Sequence, residues 1–393
     1  MAVEDGTVLI MVSMRRGLLV LGAVVGLAGV AIAARPRARR TVGRMRFFIG
    51  TQGKGAGQGI FAAEIDERTG KLSSLGLQAE LARPTWLHAD PRRPVLFAVS
   101  ELGNAGDRDG DVLSFAVDDR GLAPISRTGS GGGGATHLEL DPQGGTLFVA
   151  NFAGSAAAIP VASDGTLASP ASVVTMSGSG PHRRQAGPHP HGVTLAPGGR
   201  FLLVPDMGAD RIFVYRVDAK AKTIEADDDL TVALPAGSGP RLVSFGRDGR
   251  HAYLLTELSA ELFTFRWDAR AGRLTPAGSV ALDAPGIAEG RSAAMLVRSE
   301  DGRFLYVSNR RTNAIQVYAI SRRTGSLRHI QSVPAGGSKP WGAAIAPGGR
   351  WLVVANQGDD LVRAFRIDRR SGRLAAGEGS LAIPAPTAIA FAG

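Results

Sequence analysis

Two kinds of short apolar segment alternate along the chain and recur about every fifty residues. The first is an apolar run that often follows a proline, as in Pro190–Pro197 and Pro340–Pro347. The second is a stronger β-forming run that follows a glycine-rich turn and ends on a polar residue, as in Gly302–Asn309 and Gly349–Asn356. Such runs, bounded by turn residues, are typical of short β-strands. The chain is therefore predicted to contain many short strands arranged in a repeat.

The repeat can be counted at the polar residue that ends each second run. These residues are Thr51, Ser100, Asn151, Asp206, Thr256, Asn309 and Asn356. They lie 47 to 55 residues apart. Most copies continue with a third run whose side-chain character alternates with period two, which predicts a half-buried strand, and with a weaker fourth run. Seven copies of four strands each predict a β-propeller.

The two ends of the repeat indicate how the ring closes. The first copy begins directly with a second-type run, Phe47 to Thr51, and the last copy consists of a first-type run alone, Pro386 to Ala392. We therefore expect an all-β, seven-bladed β-propeller over residues 47–393, in which the C-terminal strand pairs with the N-terminal blade. Such pairing leaves no free strand edge between the first and last blades.

Residues 1–46 are expected to form a leader and a basic linker. Translation is expected to start at Met14, where a positive pair precedes an apolar run from Gly17 to Ile32 and a small-residue cleavage site, the pattern of a signal peptide. The arginine pair loosely resembles a twin-arginine signal. We expect export to the periplasm or the cell exterior. An uncleaved membrane anchor and a cytoplasmic protein that starts at Met45 are the alternatives.

Charge and cysteine content exclude several classes of function. The formal net charge is +10, but residues 1–46 hold eight arginines against two acidic residues, and the remaining chain has 37 basic and 33 acidic residues. This balance argues against a nucleic-acid partner, and membrane contact is expected only through an uncleaved N-terminal segment. The chain has no cysteine, which excludes disulfides, thiol nucleophiles and cysteine-based zinc sites.

The propeller topology predicts where a site would form. The first strand of a blade starts, and the second ends, on the same face near the central channel. Asparagines that recur there, such as Asn151, are expected to satisfy loop backbone groups. The residues that differ between copies are the better candidates for a binding site: His137, His191, Arg241, Glu257 and Arg291. Glu101, Asp206 and Trp341 lie at the same strand ends and complete the set of candidates.

His189 and His191 form the densest histidine cluster, and residues two apart in a strand share a face. Two histidines with no nearby carboxylate make a weak metal site, so we expect neither a metal nor a cofactor. A histidine that acts as general base or hydrogen-bond partner is the better interpretation. The chain contains no other catalytic signature, such as a nucleophile elbow or a phosphate-binding loop.

Several segments carry a family resemblance. They are Phe48–Thr51, Leu147–Phe152, Pro188–Val193, Val204–Ile212, Gly239–Arg241, Ala252–Leu258 and Asp301–Arg310. With these motifs, residues 47–393 resemble the seven-bladed-propeller lactonase family, whose best-known members are 6-phosphogluconolactonases and which is also similar to fungal muconate-lactonising enzymes. The resemblance implies that channel histidine, arginine and glutamate residues bind the ligand and hydrolyse a lactone.

The chain departs from that family at three positions. Members usually have glutamate, arginine and histidine where this chain has Met295, Trp341 and Leu242. These changes argue against a phosphorylated sugar as substrate, and so does export, because sugar phosphates are cytoplasmic metabolites.

We therefore expect hydrolysis of a small sugar-type lactone of the 6-phosphogluconolactonase kind, with His191 as general base, Arg241 as stabiliser of the oxyanion or of another anionic group, and Glu257 as the residue that orients the histidine or the substrate. Substrate contacts are expected from His137, Asp206, Arg291, Glu101 and Trp341. The alternatives are a non-catalytic exported propeller that binds a carbohydrate or a protein, and a muconate-type lactonising enzyme. A monomer is expected.

Overall fold

The computed structural model describes residues 43–53, 57–287 and 289–392. The predicted leader and most of the basic linker lie outside the described residues. In chain order the strands are β1 (Arg44–Thr51), β2 (Gly59–Asp66), β3 (Leu72–Glu80), β4 (Leu87–Ala89), β5 (Val95–Ser100), β6 (Asp111–Asp118), β7 (Gly121–Gly129), β8 (Ala135–Leu140), β9 (Thr146–Asn151), β10 (Ser155–Pro160), β11 (Ser172–Thr175), β12 (Thr194–Leu195), β13 (Phe201–Asp206), β14 (Arg211–Asp218), β15 (Thr223–Ala226), β16 (Val232–Ala233), β17 (Pro240–Phe245), β18 (His251–Thr256), β19 (Glu261–Asp268), β20 (Arg273–Ala281), β21 (Ala293–Arg298), β22 (Phe304–Asn309), β23 (Ala314–Ile320), β24 (Leu327–Pro334), β25 (Pro340–Ile345), β26 (Trp351–Asn356), β27 (Leu361–Ile367), β28 (Leu374–Ala382) and β29 (Pro386–Phe391).

These strands form seven antiparallel sheets, which we number as blades 1 to 7 in chain order. Blade 1 has the order β29-β1-β2-β3, and each later blade takes the next four strands in turn, with β16 added to blade 4. Two 3-10 helices, Asp228–Leu230 and Gln357–Asp359, are the helical elements of the described residues. Neither is long or apolar enough to cross a membrane. The predicted seven-bladed, all-β fold is confirmed.

The closure predicted from the chain ends is also confirmed. Strand β29 pairs antiparallel with β1, with Phe47 opposite Phe391 and Ile49 opposite Ile389. The first strand begins at Arg44, three residues before the predicted start at Phe47, because Arg44 to Arg46 continue the pairing with β2. The N-terminal and C-terminal strands therefore share one blade.

The apolar second runs are buried because each lies between two neighbouring blades. All six residues are buried in β5, β9, β13, β18, β22 and β26. In the core between blades 1 and 7, Phe47 and Ile49 pack with Trp351 and Val353. Burial of one such side chain stabilises the fold by roughly 1.5–3 kcal/mol. A strand with neighbours on both faces loses the alternation expected of a half-buried strand, which explains the continuous apolar runs.

A recurring glycine sets the distance between blades. Gly70 and Gly372 lie in turns between third and fourth strands and have φ of 76° and 74°. A Cβ at these positions would lie 2.3 Å from Trp351 and from Phe304 of the preceding blade. Glycine therefore serves both the left-handed turn and the close approach of the neighbouring aromatic ring.

Blade 4 is irregular at its inner edge. Strand β12 has only two residues, and Pro190 forms an isolated bridge with Asp206 upstream of it. Asp206 accepts backbone N–H bonds at Oδ1 from His189, Gly208 and Ala209, at 2.7, 2.8 and 2.9 Å. These bonds fix the segment that carries His191. The Asp206 side chain thus takes the place of the backbone hydrogen bonds that a longer β12 would make with β13.

Candidate functional site

A cavity opens on the face where the first strands start and the second strands end. Its volume is about 190 Å³. Its lining comes from blades 2 to 5, from blade 7 and from one residue of blade 1: Gln52, Arg83, Thr85, Trp86, Glu101, Asn104, Thr136, His137, Phe152, Arg184, His191, Arg241, Leu242, Glu257 and Trp341. Of the eight predicted site residues, six line this cavity. Most of the candidates predicted from the strand topology therefore lie together in one cavity.

Glu257 is the electrostatic centre of the cavity. Its Oε1 lies 2.6 Å from Arg184 Nη1 and 2.7 Å from Arg310 Nη2, and its Oε2 accepts a hydrogen bond from Arg241. Burial would raise the pKa of the Glu257 carboxyl, but Arg241 and Arg310 outweigh it and hold this pKa well below its usual range. Glu257 is therefore ionised at neutral pH and is a poor proton acceptor.

Arg241 is fixed by three contacts. Its Nε donates to the carbonyl oxygen of Ala294 at 2.9 Å, and its Nη1 reaches both Glu257 and His191. Burial lowers the pKa of Arg241 to about 10, against the opposing effect of Glu257. The guanidinium thus remains charged at neutral pH and is held in one orientation. A fixed buried cation of this kind is suited to a developing oxyanion or to a carboxylate.

His191 is neutral in this environment. Burial, and then the charge of Arg241, lower the pKa of His191 well below its usual value. Because Arg241 can only donate, Nε2 of His191 accepts this bond, and the proton lies on Nδ1. That Nδ1 is buried and has no hydrogen-bond partner among the described residues. Glu257 Oε2 lies 3.8 Å from Nε2. The imidazole can therefore accept a proton only if the Arg241 bond to Nε2 is released.

Three guanidiniums thus surround a single carboxylate. Arg184, Arg241 and Arg310 carry one positive charge each, and Glu257 cancels only one of them. Arg184 is the most open of the three, with 41% of its side chain exposed against 5% for Arg241 and 9% for Arg310. The excess positive charge favours an anionic ligand or a ligand that becomes anionic during reaction, and Arg184 can move to meet it.

An aromatic wall faces this charged cluster. The guanidinium carbons of Arg241 and Arg310 lie 5.6 and 4.7 Å from the centre of the Trp341 ring, within the range of a cation–π contact. His137, also in the lining, packs against Trp86 with ring centres 4.0 Å apart and ring planes tilted by 33°, and burial lowers the pKa of His137 to about 3. Flat apolar surfaces beside polar groups suit a sugar-like ring.

A second ion pair, between Arg83 and Glu101, lies in the cavity lining. Glu101 Oε1 accepts from Arg83 Nη2 at 2.9 Å and from Asn104 Nδ2 at 2.7 Å. This pair is internally neutral, so it offers hydrogen-bonding atoms without adding net charge.

Two predicted residues lie elsewhere. Asp206 uses Oδ1 to hold the backbone before β12, as described above, and is not part of the lining. Arg291 donates from Nε to the carbonyl oxygen of Ile287 at 2.6 Å and so ties down a loop. Both lie near strand ends, where backbone groups need partners, and this demand decides their orientation.

The sequence interpretation missed Arg184 and Arg310. Arg310 directly follows Asn309, the last residue of β22, and the residues that directly follow β5 and β18 are the candidates Glu101 and Glu257. Arg184 lies in the segment between β11 and β12, which accounts for the longest spacing in the repeat, 55 residues from Asn151 to Asp206. An insertion at a strand-one start enters the channel mouth, and its arginines could have been counted as candidates for that reason.

The three departures from the family pattern do not have equal weight. Met295 is buried in the core with Phe304 and Tyr306, so that change does not alter the cavity lining. Leu242 and Trp341 do line the cavity.

Among the described residues, no three histidine, aspartate or glutamate side chains lie close enough together to hold a metal ion.

Comparisons with known proteins decide the family. The model of the seven-bladed β-propeller lactonases matches residues 46–391. The chain belongs to this lactonase family. It is 27% identical over 296 residues to a 6-phosphogluconolactonase of Bacillus subtilis, covering 75% of this chain and 82% of that protein.

Solved structures of this lactonase family agree. The periplasmic gluconolactonase of Pseudomonas aeruginosa superposes with a TM-score of 0.84 at 34% identity, covering 89% of this chain and 99% of that one. A putative 6-phosphogluconolactonase from Bacteroides fragilis superposes with a TM-score of 0.81 at 27% identity, covering 90% and 99%. The resemblance inferred from the motifs is confirmed.

Proposed function

We propose that this protein hydrolyses a small, non-phosphorylated sugar lactone in the cavity around Glu257. One observation carries the proposal: a neutral imidazole and three guanidiniums converge on a single buried carboxylate in a cavity with aromatic walls. Family members are named 6-phosphogluconolactonase and gluconolactonase, and both names describe the opening of a cyclic ester to an acid.

The reaction needs an acceptor for the proton of water and a partner for the oxyanion. In the proposed mechanism the lactone carbonyl oxygen takes the Arg241 N–H bond that otherwise goes to His191. This exchange frees Nε2 of His191 to accept a proton from the attacking water. The oxyanion that forms is stabilised by Arg241 and Arg184. The negative charge of the oxyanion offsets the positive charge of Arg241, which otherwise disfavours protonation of the His191 imidazole.

The second half of the reaction uses the same groups. The tetrahedral intermediate collapses, the bond from the carbonyl carbon to the ring oxygen breaks, and His191 returns the proton to that oxygen. The product is an open hydroxy acid whose carboxylate remains beside Arg184 and Arg241. Glu257 keeps the guanidiniums in position throughout and takes no proton, because its pKa is held low.

Substrate choice follows from the charges and from Trp341. The cluster has a surplus of two positive charges, which one carboxylate product largely satisfies. A phosphate would need further cations, and Trp341 stands where family members usually have arginine. We therefore propose gluconolactone-type substrates with a free hydroxyl in place of the phosphate, and sugar hydroxyls bonded to Glu101, Asn104 and His137.

We also propose that the protein is exported. The sequence pattern between Met14 and Ala33 supports export, and so does the similarity to a periplasmic gluconolactonase at 34% identity. N-terminal sequencing of the protein recovered from its native cells tests this directly. A mature terminus near Ala34 is expected, and a terminus at Met45 would contradict it.

The function is tested by following acid release from gluconolactone and from its 6-phosphate at mildly acidic pH, where spontaneous opening is slow. We expect the wild-type rate to exceed the buffer rate and kcat/KM to favour gluconolactone. His191→Ala should lower kcat/KM by about 10²–10⁴-fold, the contribution of a general base. The matched control is His329→Ala, since His329 is exposed on β24. Saturable binding without turnover would instead favour a non-catalytic carbohydrate-binding propeller.

A further inference from the structure

The face opposite the cavity is built from two turns in each of blades 2 to 7 and from one turn in blade 1, whose first two strands are not joined by a turn. One turn joins the first and second strands, and the other joins the third and fourth. We call this surface the turn face. Because strands in a blade alternate in direction, these turns all lie at the end of the ring away from the cavity mouth. The turn face therefore does not contribute to the candidate site.

Charge on the turn face is unevenly distributed. Counting each turn with one strand residue on either side, the turns of blades 5 to 7 contain twelve arginines and five acidic residues. The same count for blades 2 to 4 gives six basic and six acidic residues. The small net charge of the propeller sequence thus conceals a strongly basic half of one face. The arginines are Arg247, Arg250, Arg270, Arg273, Arg298, Arg303, Arg322, Arg323, Arg350, Arg369, Arg370 and Arg373.

These arginines form a continuous surface across blade boundaries. Arg247 of blade 5 packs against Gly302 of blade 6. Arg303 of blade 6 donates to the backbone carbonyl oxygens of Arg369 and Arg370 of blade 7. These contacts join the turns of three blades, so we name this surface the basic arc.

The basic arc ends in an open groove at the junction of blades 7 and 1. The groove has a volume of about 690 Å³. Arg350, Arg370 and Arg373 line it on one side, and Arg68 of blade 1 lines the other. All four side chains are exposed. The positive surface therefore extends to the blade that contains the N-terminal strand.

The chain enters the propeller at this same groove. Arg44, the first residue of β1, pairs with Asp66 at the turn-face end of β2, and the carbonyl oxygen of Gly43 accepts from the backbone N–H of Glu67 at 2.8 Å. Glu67 itself lines the groove. The sequence before Gly43 contributes Arg35, Arg37, Arg39 and Arg40, all of which remain in a mature chain that begins near Ala34. Four further arginines thus join the propeller on its basic face.

We propose that the basic arc docks on an anionic lipid surface. A cluster of exposed arginines that is preceded by a basic linker matches the pattern by which polybasic segments bind anionic lipid surfaces. The proposed export favours lipid over nucleic acid, because an exported protein works beside a membrane. Docking in this way directs the cavity mouth away from the membrane, toward soluble substrate. The proposal does not depend on which lactone is hydrolysed.

The test is co-sedimentation of the mature chain, from Ala34 onward, with two kinds of vesicle, one of phosphatidylcholine alone and one containing phosphatidylglycerol as well. Binding that does not depend on lipid charge is equal for both, so the readout is the preference for the anionic vesicle. We expect a preference of at least about tenfold at low salt, falling as salt is added. The variant Arg323→Gln/Arg370→Gln/Arg373→Gln should lose most of that preference.

A matched control removes three basic residues from the turns of the other half. Arg120→Gln/Arg200→Gln/Lys220→Gln has the same net charge as the test variant and should keep the wild-type preference. Equal loss in both variants would overturn the proposal, because net charge alone would then explain binding. Equal sedimentation with both vesicles would overturn it as well, as would tight binding to a DNA duplex that the test variant abolishes. Gluconolactone turnover should be unchanged in both variants, which separates this result from failure of the proposed function.

Discussion

The guanidinium carbon of Arg310 lies 4.7 Å from the centre of the Trp341 ring while its Nη2 lies 2.7 Å from Glu257. The Trp341 ring thus packs against the guanidinium of Arg310, which is paired with Glu257. Other family members usually have an arginine at the position of Trp341. The indole shields the guanidinium from solvent without adding charge. The replacement of arginine by Trp341 therefore changes the net charge around Glu257.

Trp341→Arg should shift substrate preference. A fourth guanidinium beside Arg241 and Arg310 lowers the stability of the ligand-free protein through like-charge repulsion, and a phosphate relieves that repulsion. A charge-assisted hydrogen bond contributes about 1.5–3 kcal/mol, so the ratio of kcat/KM for the 6-phosphate to that for gluconolactone should rise at least about tenfold. Trp341→Phe is the control and should leave the ratio unchanged. The same ratio in all three proteins would mean that Trp341 does not select the substrate.

Glu257→Gln should unfold more easily. Removal of one partner from a buried ionic cluster leaves uncompensated charge and typically costs about 3–5 kcal/mol, and here three guanidiniums lose the one carboxylate that they share among the described residues. Urea unfolding of wild type and variant measures the difference. Glu101→Gln is the comparison, since its pair with Arg83 is separate and less buried, and it should cost much less. An equal decrease in the free energy of unfolding for both variants would mean that Glu257 contributes no more to stability than Glu101 does.

Activity should persist into mildly acidic solution. Because burial and Arg241 hold the pKa of His191 well below 6.5, the imidazole stays neutral and able to accept a proton as pH falls through the usual histidine range. The acid limb of kcat/KM should therefore have its midpoint well below 6.5. It is measured with gluconolactone after subtraction of the buffer rate. A limb centred on the ordinary histidine pKa would contradict the buried, arginine-paired environment.

Glu139→Gln should stabilise the protein at alkaline pH. Glu139 lies on β8, and burial raises its pKa to about 8 against a backbone N–H bond from Leu195. Between its ordinary pKa and this value the folded state binds more protons than the unfolded state, so stability falls as pH rises through that window. Glutamine cannot ionise and avoids this loss.

Thermal unfolding at pH 6 and pH 9 measures the effect of Glu139. The decrease in Tm between the two values should be smaller for the variant than for the wild type. Identical decreases would show that the Glu139 carboxyl ionises in the folded protein as freely as in the unfolded chain.

Sequence alone was sufficient for the ring because the repeat and its two incomplete ends are visible in the residue pattern. Phe47 and Phe391 are far apart in the sequence, yet their strands pair with each other and complete the same blade. The same topology located His191, Arg241 and Glu257 on one face. For these residues the strand ends dictate the position of the side chain.

At the remaining positions the repeat does not predict where the side chain points, because the orientation depends on nearby groups that need a hydrogen-bond or packing partner. Asp206 turns to backbone N–H groups, and Met295 turns into the core between blades. Arg184 comes from an insertion with no equivalent in other copies. The basic arc was hidden for another reason: its arginines are scattered through residues 247–373, and only the stacking of turns on one face brings them together.

The most direct test of the account is the rate of gluconolactone opening by the wild type, Arg241→Gln and Arg311→Gln. Arg241 lines the cavity, whereas Arg311 lies outside the lining and pairs with Asp283 at 3.0 Å. We predict that Arg241→Gln lowers kcat about 10²–10³-fold, as loss of an oxyanion donor does, that Arg241→Lys recovers part of it, and that Arg311→Gln remains near wild type. Wild-type turnover no faster than buffer, or equal rates for Arg241→Gln and Arg311→Gln in folded proteins, would contradict the assignment of lactone hydrolysis to this cavity.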